Sequence, residues 1–336
     1  MIIVFVLGYA AIALEHPIKV DKAASALIIG GLGWALFAFS GVDHHTLTHE
    51  IQHHIVDIAE ILFFLLGAMT IVELVDAHQG FSIITDKITT NKKVYLIWIL
   101  SVITFFFSAV LDNLTTAIVM AALLPKLIKD KETLWLFAGV LIMAANAGGA
   151  WSPIGDVTTI MLWIGGQVSA ANIITAVIIP STVCAIVPLI YLSFKLKGDV
   201  ERPLDNELDE HKKNPTTPFE RNLVFYLGVC GLLFVPVFKT VTHLPPYVGM
   251  LLSLGVLWLV TEIIHRSKNH EVKSQLSVIG VLRKVDTPTI FFFLGILLAV
   301  ASLQSAGQLD IVATYLDTTF NGQTTEGIYI INVIIG

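Results

Sequence analysis

Charged side chains are scarce in this sequence of 336 residues: 14% are Asp, Glu, Lys or Arg, whereas 55% are hydrophobic. Soluble domains carry about 25% charged residues, so this composition excludes a soluble protein. Cysteine is also rare, and Cys184 and Cys230 both lie inside apolar segments, which argues against a disulfide framework. We expect no secretory signal peptide, because no A-x-A-like cleavage site follows the first apolar segment. No basic patch is present beyond the loops, and no nucleic-acid partner is expected.

The apolar residues form long segments, most of which have the length that crosses a ~30 Å hydrocarbon core. They do not alternate with polar residues, as the strands of a transmembrane barrel would. We therefore predict an all-α polytopic membrane protein. The apolar segments lie near 1–14, 23–41, 56–75, 94–124, 133–166, 170–194, 222–241, 246–264, 288–306 and 327–336.

The loops predict the orientation, because Lys and Arg concentrate on the cytoplasmic side of a membrane protein. Lys19 and Lys22 place the first loop in the cytoplasm, so the N-terminus is predicted to lie outside. The next loop, 42–55, has no Lys or Arg and is predicted to be a polar loop outside. Lys87 follows the third segment and returns the chain to the cytoplasm.

Segment 94–124 is too long for a single crossing, since 31 residues of straight helix would extend about 46 Å. Lysines also precede and follow it, which one crossing could not accommodate on the cytoplasmic side. Both facts predict a re-entrant hairpin that turns at Asp112 and opens to the cytoplasm. With this hairpin, nineteen of the 20 Lys and Arg residues are cytoplasmic, and Lys239 is the exception.

Two apolar stretches predict an internal repeat. Residues 61–81 align with 289–309 when Gly67 is set on Gly295, and the predicted orientations of the two copies are opposite. An inverted-topology repeat is typical of secondary transporters. The counterpart of Asp112 would fall near position 340, so we expect a truncated second repeat in this sequence. The predicted organisation is a first repeat, a cytoplasmic linker and a partial second repeat at 1–197, 198–221 and 222–336.

Four polar residues occupy the predicted hairpin tip: Asp112, Asn113, Thr115 and Thr116. An ionisable group at membrane depth costs from ~2.5 kcal/mol upward, so it is rare without a function. Carboxylate, amide and hydroxyl oxygens together suit a hard cation. The alternative is a helix N-cap, for which the same residue types are favoured, and capping does not exclude ion binding.

A second polar group lies in the middle of segment 133–166, where glycines and a proline interrupt the helical pattern. Non-helical backbone at this depth is tolerated only where it lines a buried or water-filled site. We therefore predict a broken helix that contributes to the same cation site, the alternative being a kinked helix with incidental polar residues. The candidate ligands are Asn146, Ser152, Asp156 and Thr158, and the helix breakers are Gly148, Gly149, Pro153 and Gly155.

The runs AEILFFLLGAMTIVELVDAHQGF, LDNLTTAIVM and NAGGAWSPIGDVTT resemble those of NhaD-type sodium/proton antiporters in the ion transporter, or citrate transporter-like, superfamily. The resemblance implies two inverted repeats, each with a re-entrant hairpin and a broken helix. It implies that Asp112 and Asn113 match the hairpin-tip site, and that Asn146, Asp156 and Thr158 match the broken-helix site.

The expected activity is exchange of Na⁺ or Li⁺ for H⁺, with no cofactor beyond the transported ions. The expected partners are these ions and the lipid bilayer, and the sequence leaves open whether the chain forms a homodimer. The expected location is the bacterial inner (plasma) membrane.

Two alternatives belong to other classes. The first is a cation-coupled carrier of citrate or another anion, although two deep aspartates would repel an anionic substrate. The second and more remote one is a zinc metalloprotease, because His49 to His53 reads HEIQH and matches H-E-x-x-H. That run lies in the predicted outside loop, and no third zinc ligand is evident. We therefore expect a transporter and not an enzyme.

Overall fold

The computed structural model describes residues 1–85, 88–202, 216–322 and 324–335. Within these ranges the chain forms helices joined by turns, with one isolated β-bridge between Lys92 and Asp199. The predicted all-α class is therefore confirmed. The helices are α1 Ile2–Ala13, α2 Glu15–Ile18, α3 Lys22–Ala38, α4 His44–Ala77, α5 Ser82–Thr85, α6 Lys93–Leu111, α7 Asn113–Leu127, α8 Lys131–Ala150, α9 Val157–Ile164, α10 Ala170–Lys195, α11 Pro218–Thr242, α12 Pro246–Ile264, α13 His270–Leu276, α14 Val278–Leu282, α15 Thr287–Ser305, α16 Gln308–Phe320 and α17 Thr325–Ile335.

Seven of the described helices are long and apolar enough to cross a membrane, judged by length and composition. This confirms the predicted polytopic membrane protein. The seven helices are α4, α6, α8, α10, α11, α12 and α15.

The prediction of a polar loop over 42–55 is wrong, because helix α4 begins at His44 and runs for 34 residues. The carboxylate of Asp43 starts this helix by accepting hydrogen bonds from the backbone N–H groups of His45 and Thr46, both at 3.0 Å. Aspartate is among the strongest N-capping residues. The histidine-rich run therefore belongs to a helix that continues into an apolar span.

The described chain packs as two units. One comprises Met1–Leu62 with Asp286–Gly336, and the other comprises Phe63–Val285. The division into two repeats and a linker stays a prediction. Lys87 and residues 203–215 of the predicted linker lie outside the described residues.

Small residues hold the first unit together where α3 packs against α15. A Cβ atom on Gly30 would lie 2.7 Å from the carbonyl oxygen of Gly295. A Cβ atom on Gly295 would in turn lie 2.7 Å from the carbonyl oxygen of Ala26. Close backbone approach through small residues is the usual way for helices to associate in lipid, where hydrophobic burial gives little driving force.

In the second unit the chain doubles back at Asp112. Apolar side chains from the beginning of α6, the end of α7 and the beginning of α8 share one cluster, which includes Leu96, Leu100, Met120, Leu124 and Phe137. Helices α6 and α7 therefore lie side by side, with the beginning of α6 next to the end of α7.

Backbone hydrogen bonds join the beginning of α6 and the residues just after α7 to the segment that follows α10. Lys93 N–H donates to the carbonyl of Gly198 at 3.2 Å, and Lys129 N–H donates to that of Glu201 at 2.9 Å. Both ends of the α6–α7 pair thus lie at the same end of this unit. Its re-entrant placement in the membrane stays a prediction.

A buried histidine pair lies just beyond the ends of α4 and α12 in the second unit. His78 and His265 are at most 1% exposed, their rings stack at 4.9 Å, and their Nε2 atoms are 3.3 Å apart. His78 Nδ1 donates to the carbonyl of Leu74 at 2.7 Å, since a carbonyl only accepts. In the neutral pair, His265 Nε2–H is then the donor to His78 Nε2. An ion pair between Lys268 and Glu220, 2.6 Å from nitrogen to oxygen, lies close by.

This arrangement makes stability depend on pH. Burial, together with the neighbouring His265 ring, lowers the pKa of His78 to about 4, and burial also lowers the pKa of His265. Because the unfolded chain binds protons near pH 6.5, the neutral pair contributes stability above that pH. The contribution is lost as the pH falls toward 4.

We predict that the free energy of unfolding of the purified protein falls between pH 7 and pH 5, by up to about 1.4 kcal/mol per pH unit for each histidine, and that the Tm falls with it. His78→Gln keeps a donor for Leu74 but removes one titrating ring, so its Tm should fall less steeply. His53→Gln, at an imidazole that is 66% exposed, is the control and should keep the original slope. Equal slopes in all three proteins would contradict the prediction.

Candidate functional site

Two interruptions of helices lie in the second unit. Between α6 and α7, Asp112 has φ 79° and ψ 157°. Non-glycine residues rarely adopt this backbone conformation, which costs of the order of 1–3 kcal/mol and is concentrated at functional sites. Between α8 and α9, residues 151–156 form a turn. Both interruptions fall inside the two polar groups that the sequence singles out.

Glycines allow the two interruptions to approach each other. A Cβ atom on Gly148 would lie much closer than 3.0 Å to the carbonyl oxygen of Phe105. Real Cβ atoms essentially never approach another heavy atom that closely. A Cβ atom on Gly155 would lie 2.7 Å from the carbonyl oxygen of Ser108 and 2.8 Å from that of Gly149. Larger residues would push α8 and the turn away from α6.

Two buried hydroxyl groups hold the same backbones together. Ser108 donates to the carbonyl of Ala145 at 2.5 Å, and Ser152 donates to the carbonyl of Ala109 at 2.5 Å. Thr159 donates to the carbonyl of Ser152 at 2.9 Å. Sequence reasoning missed Ser108 and Thr159. The available signal for Ser108 was its place one turn before Asp112 in a mostly apolar helix.

Both aspartates cap helices, although the capping alternative was proposed only for the hairpin tip at Asp112. Asp112 accepts from the backbone N–H of Thr115 at 2.8 Å and from its hydroxyl at 2.7 Å. Asp156 accepts from the backbone N–H of Thr158 at 2.8 Å and from its hydroxyl at 2.5 Å. Each carboxylate has about four lone-pair sites, so these bonds leave acceptor capacity for another ligand.

The amide of Asn113 joins the two polar groups. Its Nδ2 donates to Asn146 Oδ1 at 3.0 Å and also to Asp156 Oδ2. Asn146 and Thr158 are exposed, whereas Asp112, Asn113 and Asp156 are half-buried. The result is an accessible cluster of carboxylate, amide and hydroxyl oxygens around two helix N-termini.

Two of the predicted ligands, Thr116 and Ser152, are buried and lie outside the accessible cluster. Thr116 is only 1% exposed, and its hydroxyl has no hydrogen-bond partner among the described residues. The hydroxyl of Ser152 bonds to the backbone of α6, as described above. Neither hydroxyl group is hydrogen-bonded to Asp112 or Asp156 in the described structure.

The zinc alternative gains no support from the part of the chain that is described. No group of three or more His, Cys, Asp or Glu side chains in those ranges is arranged to hold a metal ion. His53 instead lies 3.9 Å from Asp57, one turn along α4.

Gly148→Ala should disrupt the meeting of the two interruptions, because the added methyl group collides with the backbone of Phe105. Overpacking of this kind costs about 1–3 kcal/mol. Gly139→Ala, in the same helix but facing open space, is the matched control and should leave the Tm unchanged or raise it. Thermal unfolding of the purified variants measures both effects. Equal Tm values for the two variants would show that the close approach is not required.

Comparison with known proteins supports the assignment of the chain to a family. A family model described as Citrate transporter matches residues 9–336. The chain is 42% identical to Sodium/proton antiporter 2 of Arabidopsis thaliana, over 94% of this chain and 74% of that protein. It is 29% identical to Na⁺/H⁺ antiporter NhaD of Vibrio cholerae, over 95% of this chain and 71% of that protein.

A further relative, Sodium/proton antiporter 1 of Arabidopsis thaliana, is 45% identical over 94% of this chain. The chain spans about half of that protein's length, 54%. The predicted resemblance to NhaD-type antiporters is confirmed. Because the family model covers nearly the whole chain, the chain belongs to the citrate transporter family.

Proposed function

We propose that this protein is a secondary transporter that exchanges Na⁺ or Li⁺ for H⁺ across a membrane. The observation that carries the proposal is the pair of helix-capping aspartates, Asp112 and Asp156, at two helix breaks that Asn113 joins. The relatives named sodium/proton antiporters support the same activity. The proposed ligands are oxygen atoms of Asp112, Asn113, Thr115, Asn146, Asp156 and Thr158. Thr116 and Ser152 are less favoured ligands, because neither hydroxyl group is hydrogen-bonded to the two aspartates in the described structure.

Competition for the carboxylates explains how the two ions are coupled. A helix N-terminus favours a negative carboxylate through its dipole and its free N–H groups. The same carboxylate attracts a hard cation, and carboxamide oxygens beside it can replace part of the lost hydration shell. A proton on the carboxylate removes the charge and therefore the affinity for the cation. One site then binds either Na⁺ or H⁺.

Glycine packing supports the proposed inverted repeat. In the second unit Gly67 of α4 faces α12, where an added Cβ atom would lie 2.7 Å from Met250 Cγ. In the first unit Gly295 of α15 faces Ala26 of α3. Each aligned glycine thus packs against a helix from the opposite predicted repeat. Such reciprocal pairing is expected where two inverted repeats are related by a two-fold axis in the membrane plane.

The second candidate function is transport of citrate or another anion, which the description of the family favours. An anionic substrate would have to bind beside Asp112 and Asp156, and like charges repel. The carboxylates therefore favour a cation as the transported ion or as the coupling ion.

The proposed location is the inner (plasma) membrane, with the N-terminus outside and both ends of the α6–α7 hairpin in the cytoplasm. Cysteines placed at Lys93 and Lys129, after replacement of Cys184 and Cys230, should be labelled only from the cytoplasmic side. A cysteine at His243, between α11 and α12, should be labelled only from outside. Labelling of Lys93 and Lys129 positions from opposite sides would make the hairpin an ordinary crossing.

Asp112→Asn and Asp156→Asn should each reduce cation-dependent proton exchange to background in membrane vesicles. Asparagine caps helices as well as aspartate does, so the capping bond to the backbone is kept. The substitution removes the titrating charge and one acceptor oxygen, which at Asp156 is the oxygen that accepts from Asn113. Asp286→Asn is the matched control, because Asp286 caps α15 through the N–H and hydroxyl of Thr289 in the same way. The control should retain exchange.

Retention of near-normal exchange in both site variants, at equal protein levels, would reduce the two aspartates to structural caps. Loss of exchange in Asp286→Asn as well would show that the assay reports helix capping in general. Parallel assays with Na⁺, Li⁺ and citrate distinguish the two candidate functions.

A further inference from the structure

Lys239 is the one basic residue that the predicted topology does not place in the cytoplasm. It lies in the last turn of α11, a helix long and apolar enough to span a membrane. A lysine near a helix end commonly extends along the helix toward water. Lys239 does not follow that pattern alone, because its ammonium group contacts a residue of another helix.

That residue is Trp163, near the end of α9. Lys239 Nζ donates to the carbonyl oxygen of Trp163 at 2.8 Å and lies 4.4 Å from the centroid of its indole ring. Trp163 is only 3% exposed. The last carbonyl groups of a helix lack helical partners and carry the negative end of its dipole, so a cation there is stabilising. Tryptophan is also the strongest aromatic partner for a cation.

Helix α9 has eight residues and is therefore about 12 Å long. A helix of this length is not stable by itself, so its position depends on the contacts at its ends and along its buried face. Asp156 caps the beginning of α9, and Lys239 binds its end. Ile160, between them, is only 1% exposed. A change in the contacts at one end of so short a helix therefore affects its other end, about 12 Å away.

We propose that Lys239 is a positioning residue of the cation site: by holding the end of α9, it sets where Asp156 faces Asn113. The inference rests on the proposed function, since it assumes that Asp156 binds the transported cation. It gives the basic residue on the outer end of α11 a role in a site formed by α7, α8 and α9. Lys239 itself does not touch the ion.

The test compares three substitutions with a matched control in proteoliposomes. Lys239→Met removes the charge and the hydrogen bond, and should raise the apparent KM for Na⁺ about tenfold, or about 1.4 kcal/mol. The maximal rate should change much less, because the displaced carboxylate weakens ion binding before it affects turnover. Lys239→Arg keeps the charge and donors, and should stay within about threefold of the unmodified KM. Lys239→Gln keeps a donor without the charge and should fall between them.

Lys195→Met is the control, because Lys195 also lies over an aromatic ring, that of Tyr191 at 5.0 Å, at the end of α10. It should leave the KM for Na⁺ unchanged. If Lys239→Met does not insert into the membrane, Lys239→Gln against Lys239→Arg gives the same comparison. An unchanged KM in Lys239→Met, or an equal rise in Lys239→Arg and Lys195→Met, would overturn the proposal.

Hydrogen–deuterium exchange of the α9 amides, measured by mass spectrometry, separates this inference from the proposed function. Exchange should become several-fold faster in Lys239→Met and stay unchanged in Lys239→Arg and Lys195→Met. If the unmodified protein moves no Na⁺, the proposed function fails. Faster hydrogen–deuterium exchange of the α9 amides in Lys239→Met would still support the contact by which Lys239 holds α9. Normal transport and unchanged amide exchange in Lys239→Met would together overturn this inference and leave the proposed function standing.

Discussion

The close approach of the α6–α7 break to the α8–α9 break is the constraint on which the site depends. It requires glycine at 148, where the backbone of Phe105 leaves no room for a side chain. Once the backbones meet, Asn113 can reach both Asn146 and Asp156. In lipid such an approach must be stabilised by packing and internal hydrogen bonds, because burial of apolar surface gives little driving force there. The buried hydroxyls of Ser108 and Ser152 supply part of that stabilisation.

Capping and ion binding are compatible roles for the same carboxylates. Each aspartate accepts a hydrogen bond from a backbone N–H group at a helix N-terminus, which would otherwise lack a helical partner. The capping bonds also fix the carboxylate in place, so that its remaining lone pairs point in a defined direction without a bound ion. A site that is ordered in advance needs less rearrangement when one ion replaces another. The backbone strain at Asp112 agrees with this view, because such strain persists only where the surrounding structure enforces it.

Composition and periodicity were sufficient to predict the all-α membrane class, since a hydrocarbon core leaves few choices to an apolar chain. Asp112 and Asp156 could be found because a charge in an apolar segment is rare. The loop predicted over 42–55 was wrong, since histidine and threonine are compatible with both a loop and a helix, and the Asp43 cap decided the matter.

Contacts between helices that are distant in sequence could not be predicted. Nothing local in the sequence reveals that Asn113 meets Asp156 or that Lys239 reaches Trp163. The two aspartates were predicted as ligands of one site from their chemistry, but their relative placement depends on which glycines face which carbonyl groups. That information is spread over several helices and emerges only when they pack.

Proton release on cation binding is the most direct test of a shared site for Na⁺ and H⁺. The purified protein in weakly buffered detergent solution would be titrated with NaCl near neutral pH, with choline chloride as the control for ionic strength. A shared site predicts a saturable release of protons with NaCl alone, which Asp156→Asn reduces or abolishes and Asp286→Asn preserves. Saturable Na⁺ binding without proton release would show that the two ions do not compete for the same carboxylates.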